Sequence, residues 1–302
     1  MTDYDDADAR LRASVLRKVL AFTFRLWRRT PWLAVACAGT MLLATLTEVF
    51  APLYAGRIID AAGRGDVGAA WAAFAVITAL GAAMVVLRHL GWWAITPLTL
   101  KMMQDVTQEG FARVQRLSTD WHANAFSGST VQRITRGMWA LDTLNDVLLL
   151  SLLPSLTVLA GTVILLALHW PVLGLVMGVG AIAYIALTVG LATQVLAPTA
   201  RLSNQWDTRI GGVLADAIGA NAVVKAFGGE AREEALLAKT VPKWRKRTHR
   251  TWMAFTWAGS GQIALLWLIR LAVTGVALWL WMRGQASAGD MAYVITSYLV
   301  LN

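Results

Sequence analysis

Residues 211–230 read GGVLADAIGANAVVKAFGGE, and the rest of the chain makes sense only around them. Leu214, Ile218, Val223, Val224 and Phe227 recur at steps of three to five, the spacing of an apolar stripe on a helix. Asp216, Asn221, Lys225 and Glu230 interrupt the run, and a strongly basic segment of about twenty residues separates it from the next apolar stretch. The segment is therefore not a membrane span. It predicts an amphipathic helix held away from a bilayer, with a face that needs something to pack against.

The surroundings supply the bilayer. Of the 302 residues 57% are hydrophobic and only 15% are charged, and the mean hydropathy is +0.55, far too apolar for a soluble domain of this size. The fold class expected is an all-α polytopic membrane protein. A net charge of +9 could suggest nucleic-acid binding, but Arg and Lys crowd before Pro31, between Pro97 and Leu141, and between Ala197 and Arg250. The opposite loops hold only Arg57, Arg64 and Arg283. That asymmetry predicts a cytoplasmic N-terminus and two cytoplasmic loops, with membrane lipids rather than nucleic acid as the anionic neighbour. Cys37 is the only cysteine, and His89, His122, His169 and His249 fall in different segments, so neither a disulfide framework nor a metal motif is readable.

In chain order, residues 1–15 are acidic and expected to be disordered. Residues 16–30 interleave Leu16, Val19, Leu20, Phe22, Leu26 and Trp27 with Arg17, Lys18, Arg25, Arg28 and Arg29, the pattern of an elbow helix in the headgroup region. Spans are predicted at about 32–52, 71–95, 141–168, 172–196 and 252–281. A sixth opens at 290 and has about 13 residues, some 20 Å of helix against a core of roughly 30 Å, so it is expected to be incomplete and the chain part of a longer one. Residues 97–140 and 197–250 are polar, helix-friendly and too long for ordinary loops. Each is expected to form a pair of helical arms, with turns near Ser118 to Gly128 and Asn204 to Gly212, and Pro198 is expected to mark a kink or change of direction. Gly39, Gly81, Gly161, Gly174, Gly178 and Gly180 are candidates for close helix packing.

The opening stretch resembles the second cytoplasmic arm of the six-span transmembrane domain of ABC exporters. In that pattern an acidic residue and a glycine turn precede Val-Val-Lys-Ala-Phe and a glutamate, the places held here by Asp216, Gly219, Val223 to Phe227 and Glu230. In the first arm, Phe111, Leu117, Trp121, Gly128, Arg133 and Ile134 are similar to the family pattern, and Gly289-Asp290 looks like the opening of its sixth span. Gly137 stands where the family usually has an aspartate four residues after the arginine. The resemblance implies a bacterial inner-membrane half-transporter, a homo- or heterodimer of six-span subunits. Each would be coupled to a nucleotide-binding domain that carries ATP and Mg. It also implies alternating-access export of an amphipathic or hydrophobic solute such as a lipid, a drug-like molecule or a peptide. Coupling would fall to Asp120, Trp121, His122, Asn124 and Gly128 at one tip and to Arg209, Gly211 and Gly212 at the other, with Arg133, Asp216, Lys225 and Glu230 in arm packing.

No Gly-x-x-x-x-Gly-Lys-Ser/Thr loop occurs, so no catalytic, cofactor or metal residue is assigned within the chain. Inside the membrane Glu48 and Arg270 are expected to avoid lipid, either by pairing with each other or by facing a substrate cavity. Arg88 reads as an interfacial anchor that snorkels. The alternatives are a polytopic membrane enzyme, which needs a clustered acid, base or metal set, and an ATPase-independent channel or transporter, which needs broken spans and midplane polar clusters.

Overall fold

The computed structural model describes residues 2–124 and 127–300, with side chains described except at 2–13, 16, 122–133 and 299–300. The elements are α1 (Thr2–Trp27), α2 (Pro31–Gly63), α3 (Val67–Gln115), α4 (Thr119–Asn124), α5 (Ser127–Asn145), α6 (Leu153–His169), α7 (Pro171–Leu191), α8 (Ala197–Gly219), α9 (Asn221–Ala226), α10 (Glu230–Met282) and α11 (Ala288–Val300). Five helical rods among the described residues are long and apolar enough to cross a membrane. At 1.5 Å per residue the 49 residues of α3 and the 53 of α10 reach about 70–80 Å, more than twice the roughly 30 Å hydrocarbon core.

Several expectations are corrected. Where disorder was expected, α1 is continuous from Thr2. Asp3, Asp5, Asp6 and Asp8 stand at its positive end and alanines follow, so charge and propensity both favour helix. Pro198 does not turn the chain. A π-helical stretch, Ala192–Leu196, ends two residues before it and joins α7 to α8 in one rod. A second, Asp146–Leu152, ends two residues before Pro154 and joins α5 to α6. Proline removes a backbone donor and crowds the preceding turn, and a π turn widens the helix enough to accommodate it.

The chain divides into two units, residues 1–166 with 277–302, and residues 167–276. In the first, α2 and α3 form an antiparallel hairpin, and α11 and α5 pack on its two members. Its core gathers Leu26, Leu33, Cys37, Met41, Leu98 and Met102 from three helices. The wholly buried Asn145 ties it together: Trp27 Nε1 donates to Asn145 Oδ1 at 3.1 Å, and Asn145 Nδ2 donates to Thr99 Oγ1 at 2.9 Å. In the second unit α7 and α8 run against α10. Gln262 donates to Thr188 at 3.0 Å, Thr251 to the Thr199 carbonyl at 2.9 Å, Ser203 and Thr248 share a bond of 2.9 Å, and Trp244 Nε1 donates to Asp207. Numbers rise on one helix as they fall on the other, which is the register of an antiparallel pair.

Glycine packing follows the seams. A Cβ on Gly161 would meet Val49 at 2.9 Å and one on Gly180 would meet Ile269 at 2.9 Å, whereas a Cβ on Gly39 or Gly81 would have nothing within 4 Å among the described residues. Gly174 approaches the Ala167 backbone. The tightest approach in the first unit, Gly56 against Gly289, was not among the expected positions.

Candidate functional site

The second arm turns where the quoted stretch ends. α8 runs unbroken through 204–212, so the expected turn there is instead helix interior, and the break falls between Gly219 and Glu230. Nothing between Asn204 and Gly212 forbids helix, and Gly211 and Gly212 have open space around them. Ala220 leaves the helical region at φ −96° and ψ 18°, and Gly228 at φ +58° takes the left-handed conformation that a side chain would resist. Lys225 Nζ bonds Glu230 Oε1 at 2.8 Å across this loop, and the ammonium holds the Glu230 carboxyl below the usual carboxylate range. Lys225 thus pairs with Glu230, while Asp216 is exposed on α8.

Apolar side chains at this tip stand open: Ile218 is 73% exposed, Val223 58% and Phe227 85%. That is the face the sequence said would need a surface. Arg209, expected at the tip, lies within α8 with its guanidinium 5.2 Å from the Trp206 ring. At the first tip α3 ends at Gln115 and α4 begins at Thr119, with Ser118 Oγ accepting from Trp121 N at 3.3 Å as an N-terminal cap. Asp120 and Trp121 sit on α4, Trp121 exposed beside exposed Leu117. The side chains of His122, Asn124, Gly128 and Arg133 lie outside the described residues.

The root of the first arm is locked by charge. Arg29, in the turn between α1 and α2, reaches Asp105 at 3.0 Å and Glu109 at 2.5 Å, and Lys101 reaches Asp105 at 2.9 Å. Lys101 and Arg29 hold the Asp105 carboxyl below its ordinary range, and the two carboxylates raise Arg29 in turn. The elbow is thereby pinned to α3 where that helix passes from its apolar to its polar part.

Within the apolar stretches, Arg88 Nη2 bonds Glu48 Oε1 at 2.5 Å. Arg270, half-buried, lies with its guanidinium 5.1 Å from the Trp267 ring. Glu48 faces Ile77, Leu80, Gly81 and Met84 across the hairpin, and Arg88 is one turn beyond Met84 on that same face. The 77-81-84-88 spacing marks one face of a helix in the sequence, but that this face lies opposite Glu48 follows only from the register of the hairpin.

At the far end of the hairpin Asp60 receives α11. Ser287 Oγ donates to Asp60 Oδ2 at 2.7 Å and Gly289 N to Asp60 Oδ1 at 2.8 Å. Ser287 and Asp290 cap one another, Asp290 N to Ser287 Oγ at 3.0 Å and Ser287 N to Asp290 Oδ2 at 2.8 Å. A carboxylate at the positive end of α11 is the favourable sign. Among the described residues no three His, Cys, Asp or Glu side chains gather in a way that could hold a metal ion.

Comparison with known proteins agrees with this geometry. The family described as ABC transporter transmembrane region matches residues 35–302. An ATM1-type heavy metal exporter of Novosphingobium aromaticivorans is 27% identical over 191 residues, covering 62% of this chain and 31% of that protein. An ATP-dependent lipid A-core flippase of Dechloromonas aromatica is 26% identical over 274 residues, covering 89% of this chain and 46% of that protein. The chain therefore spans less than half the length of either relative. A solved structure, that of a bacterial Atm1-family ABC exporter with ATP bound, superposes with a TM-score of 0.76 over 91% of this chain and 48% of that one, at 22% identity, which is a likeness of fold. The family match over most of the sequence, the shared fold and the long rods with exposed tips converge: the chain belongs to the ABC transporter transmembrane region family, with the fold of an exporter-type transmembrane domain.

Proposed function

We propose that this chain is the membrane-crossing part of an ATP-driven exporter that moves an amphipathic or hydrophobic solute by alternating access. The observation that carries the reading is the second tip, where Ile218, Val223 and Phe227 are exposed on a turn about 30 Å beyond Pro198. Exposed apolar residues at the end of a rigid rod are a lever without its load, and a nucleotide-binding domain, whether on the same polypeptide or on a second one, is the load proposed. Asp120 and Trp121 on α4 form the companion contact. ATP and Mg belong to that domain, and two membrane subunits share the work.

The basic elbow, arms and α10 root support a cytoplasmic N-terminus and cytoplasmic tips, with the inner membrane of a bacterium as the proposed location. A rod transmits rigid-body motion, so drawing the ATP-binding domains together biases the spans toward one opening, by no more than the differential affinity of nucleotide for the two states. The relatives' names, a lipid A-core flippase and a heavy metal exporter, differ in cargo. The Glu48 and Arg88 pair in an apolar seam suits an amphipathic solute that carries charge of its own. The test is purification of the natural protein from its own membrane with assay of ATP hydrolysis. Hydrolysis that Phe227→Asp uncouples from solute movement supports the reading; a folded preparation with no associated ATPase overturns it.

A further inference from the structure

The root of α10 carries a charged face that the transport reading uses only to orient the chain. Trp244, Thr248 and Thr251 turn toward α8, where they meet Asp207, Ser203 and Thr199. Lys239, Lys246 and Arg250 follow one another at steps of seven and four, a stripe on the side away from those contacts, while Lys243 turns back toward α8 with its ammonium 5.9 Å from the Trp206 ring. Arg245 and His249 border the stripe, and Val241, Pro242, Arg245, Lys246, His249 and Arg250 line a shallow groove along it. No Asp or Glu occurs between Glu234 and Asp290, and among the described residues no carboxylate pairs with any of these cations.

What the groove lacks is negative charge, and its position says where that charge comes from. Trp252, 69% exposed, continues the Arg245 and His249 face by one more helical step, at the start of the apolar stretch of α10. The cations thus begin within about 3 Å of rise from an interfacial indole and continue for roughly 17 Å. A soluble acidic partner would have no reason to sit against that tryptophan. We propose that this face of α10 is a headgroup site for anionic phospholipid, with Arg245, Lys246 and Arg250 holding the phosphate and Trp252 seated at the level of the glycerol. Guanidinium groups grip phosphate oxygens in pairs, and each cation at such a surface strengthens binding by about fivefold. The site lies in the inner leaflet on the topology proposed above; retention of lipid in detergent reads it whichever way the chain is oriented.

The experiment is native mass spectrometry of the full chain released from mixed micelles of phosphatidylglycerol and phosphatidylcholine. The wild-type chain is expected to retain phosphatidylglycerol preferentially, and Arg245→Gln/Lys246→Gln/Arg250→Gln to lose that preference by about tenfold or more. Arg57→Gln/Arg64→Gln/Arg283→Gln removes equal charge at the opposite end and is expected to leave it unchanged, and Arg245→Lys/Arg250→Lys is expected to keep most of it. An unaltered preference in the first variant, or an equal loss in the second, overturns the proposal. So does binding of a soluble polyanion such as heparin without discrimination between the two lipids, which would assign the face to an acidic macromolecule.

Discussion

Arg88 and Glu48 meet at 2.5 Å across the seam of α2 and α3, inside the apolar stretch of both helices. Removing one partner leaves the other charge uncompensated in a medium where that costs several kcal/mol. Glu48→Ala and Arg88→Ala are each expected to destabilise the domain by about 2–3 kcal/mol, and the double substitution by clearly less than the sum. Denaturant titration in detergent measures the coupling; strictly additive losses would show that the contact contributes nothing.

Asn145 serves Trp27 and Thr99 at once. Asn145→Ala strands an indole N–H in the core and opens a cavity, an expected loss of about 2–4 kcal/mol. Adding Trp27→Phe and Thr99→Val to Asn145→Leu removes every polar group together and is expected to recover part of it. Thermal unfolding followed by tryptophan fluorescence distinguishes the outcomes, and a triple variant no better than the single one would refute the network.

Gly56 and Gly289 test the outer clamp. A Cβ on Gly56 would stand 2.5 Å from the Gly289 carbonyl oxygen, so Gly56→Ala forces α11 off α2, at an expected cost of about 1–3 kcal/mol. Gly39→Ala on the same helix has nothing within 4 Å and is expected to be neutral or mildly stabilising. Comparing the two melting temperatures controls for glycine removal itself.

The elbow lock is pH-dependent in a direction that follows from its carboxylate. Asp105 is held below its ordinary range when folded, chiefly by Lys101 and then Arg29. Its contribution is therefore full above the unfolded value of about 4 and is lost as pH falls through the lower, folded value. Proteolysis of α1 is expected to quicken in acid and in high salt, and Asp105→Asn, which leaves the Glu109 contact in place, is expected to reduce the acid dependence. An unchanged pH profile in that variant would remove the lock from the account.

The all-α, membrane-spanning class was legible from the sequence because hydropathy and helical period are local properties. Each apolar run of about twenty residues declares itself without reference to any other. The amphipathic character of residues 211–230 was legible for the same reason. The turn was not: Asn204, Gly211 and Gly212 are tolerated in a helix interior as readily as they make a loop, and only the position at which α10 returns along α8 puts the break between Gly219 and Gly228.

Partners were the other matter that tertiary structure decided. Glu48 could have met Arg270 or Arg88, and the register of the α2 and α3 hairpin chose Arg88. Lys225 could have turned to Asp216, and the loop after α9 brought Glu230 instead. Asn145 and Asp60 gave no local sign of their roles, because a hydrogen bond between residues 118 or 227 positions apart has no signature in either segment alone. The sequence by itself determined which segments are helices and which faces of them are apolar, since each depends on neighbours a few residues away. Which buried polar groups are satisfied, and by whom, depends on the angle and register at which rods pack, and that exists only once the chain is folded.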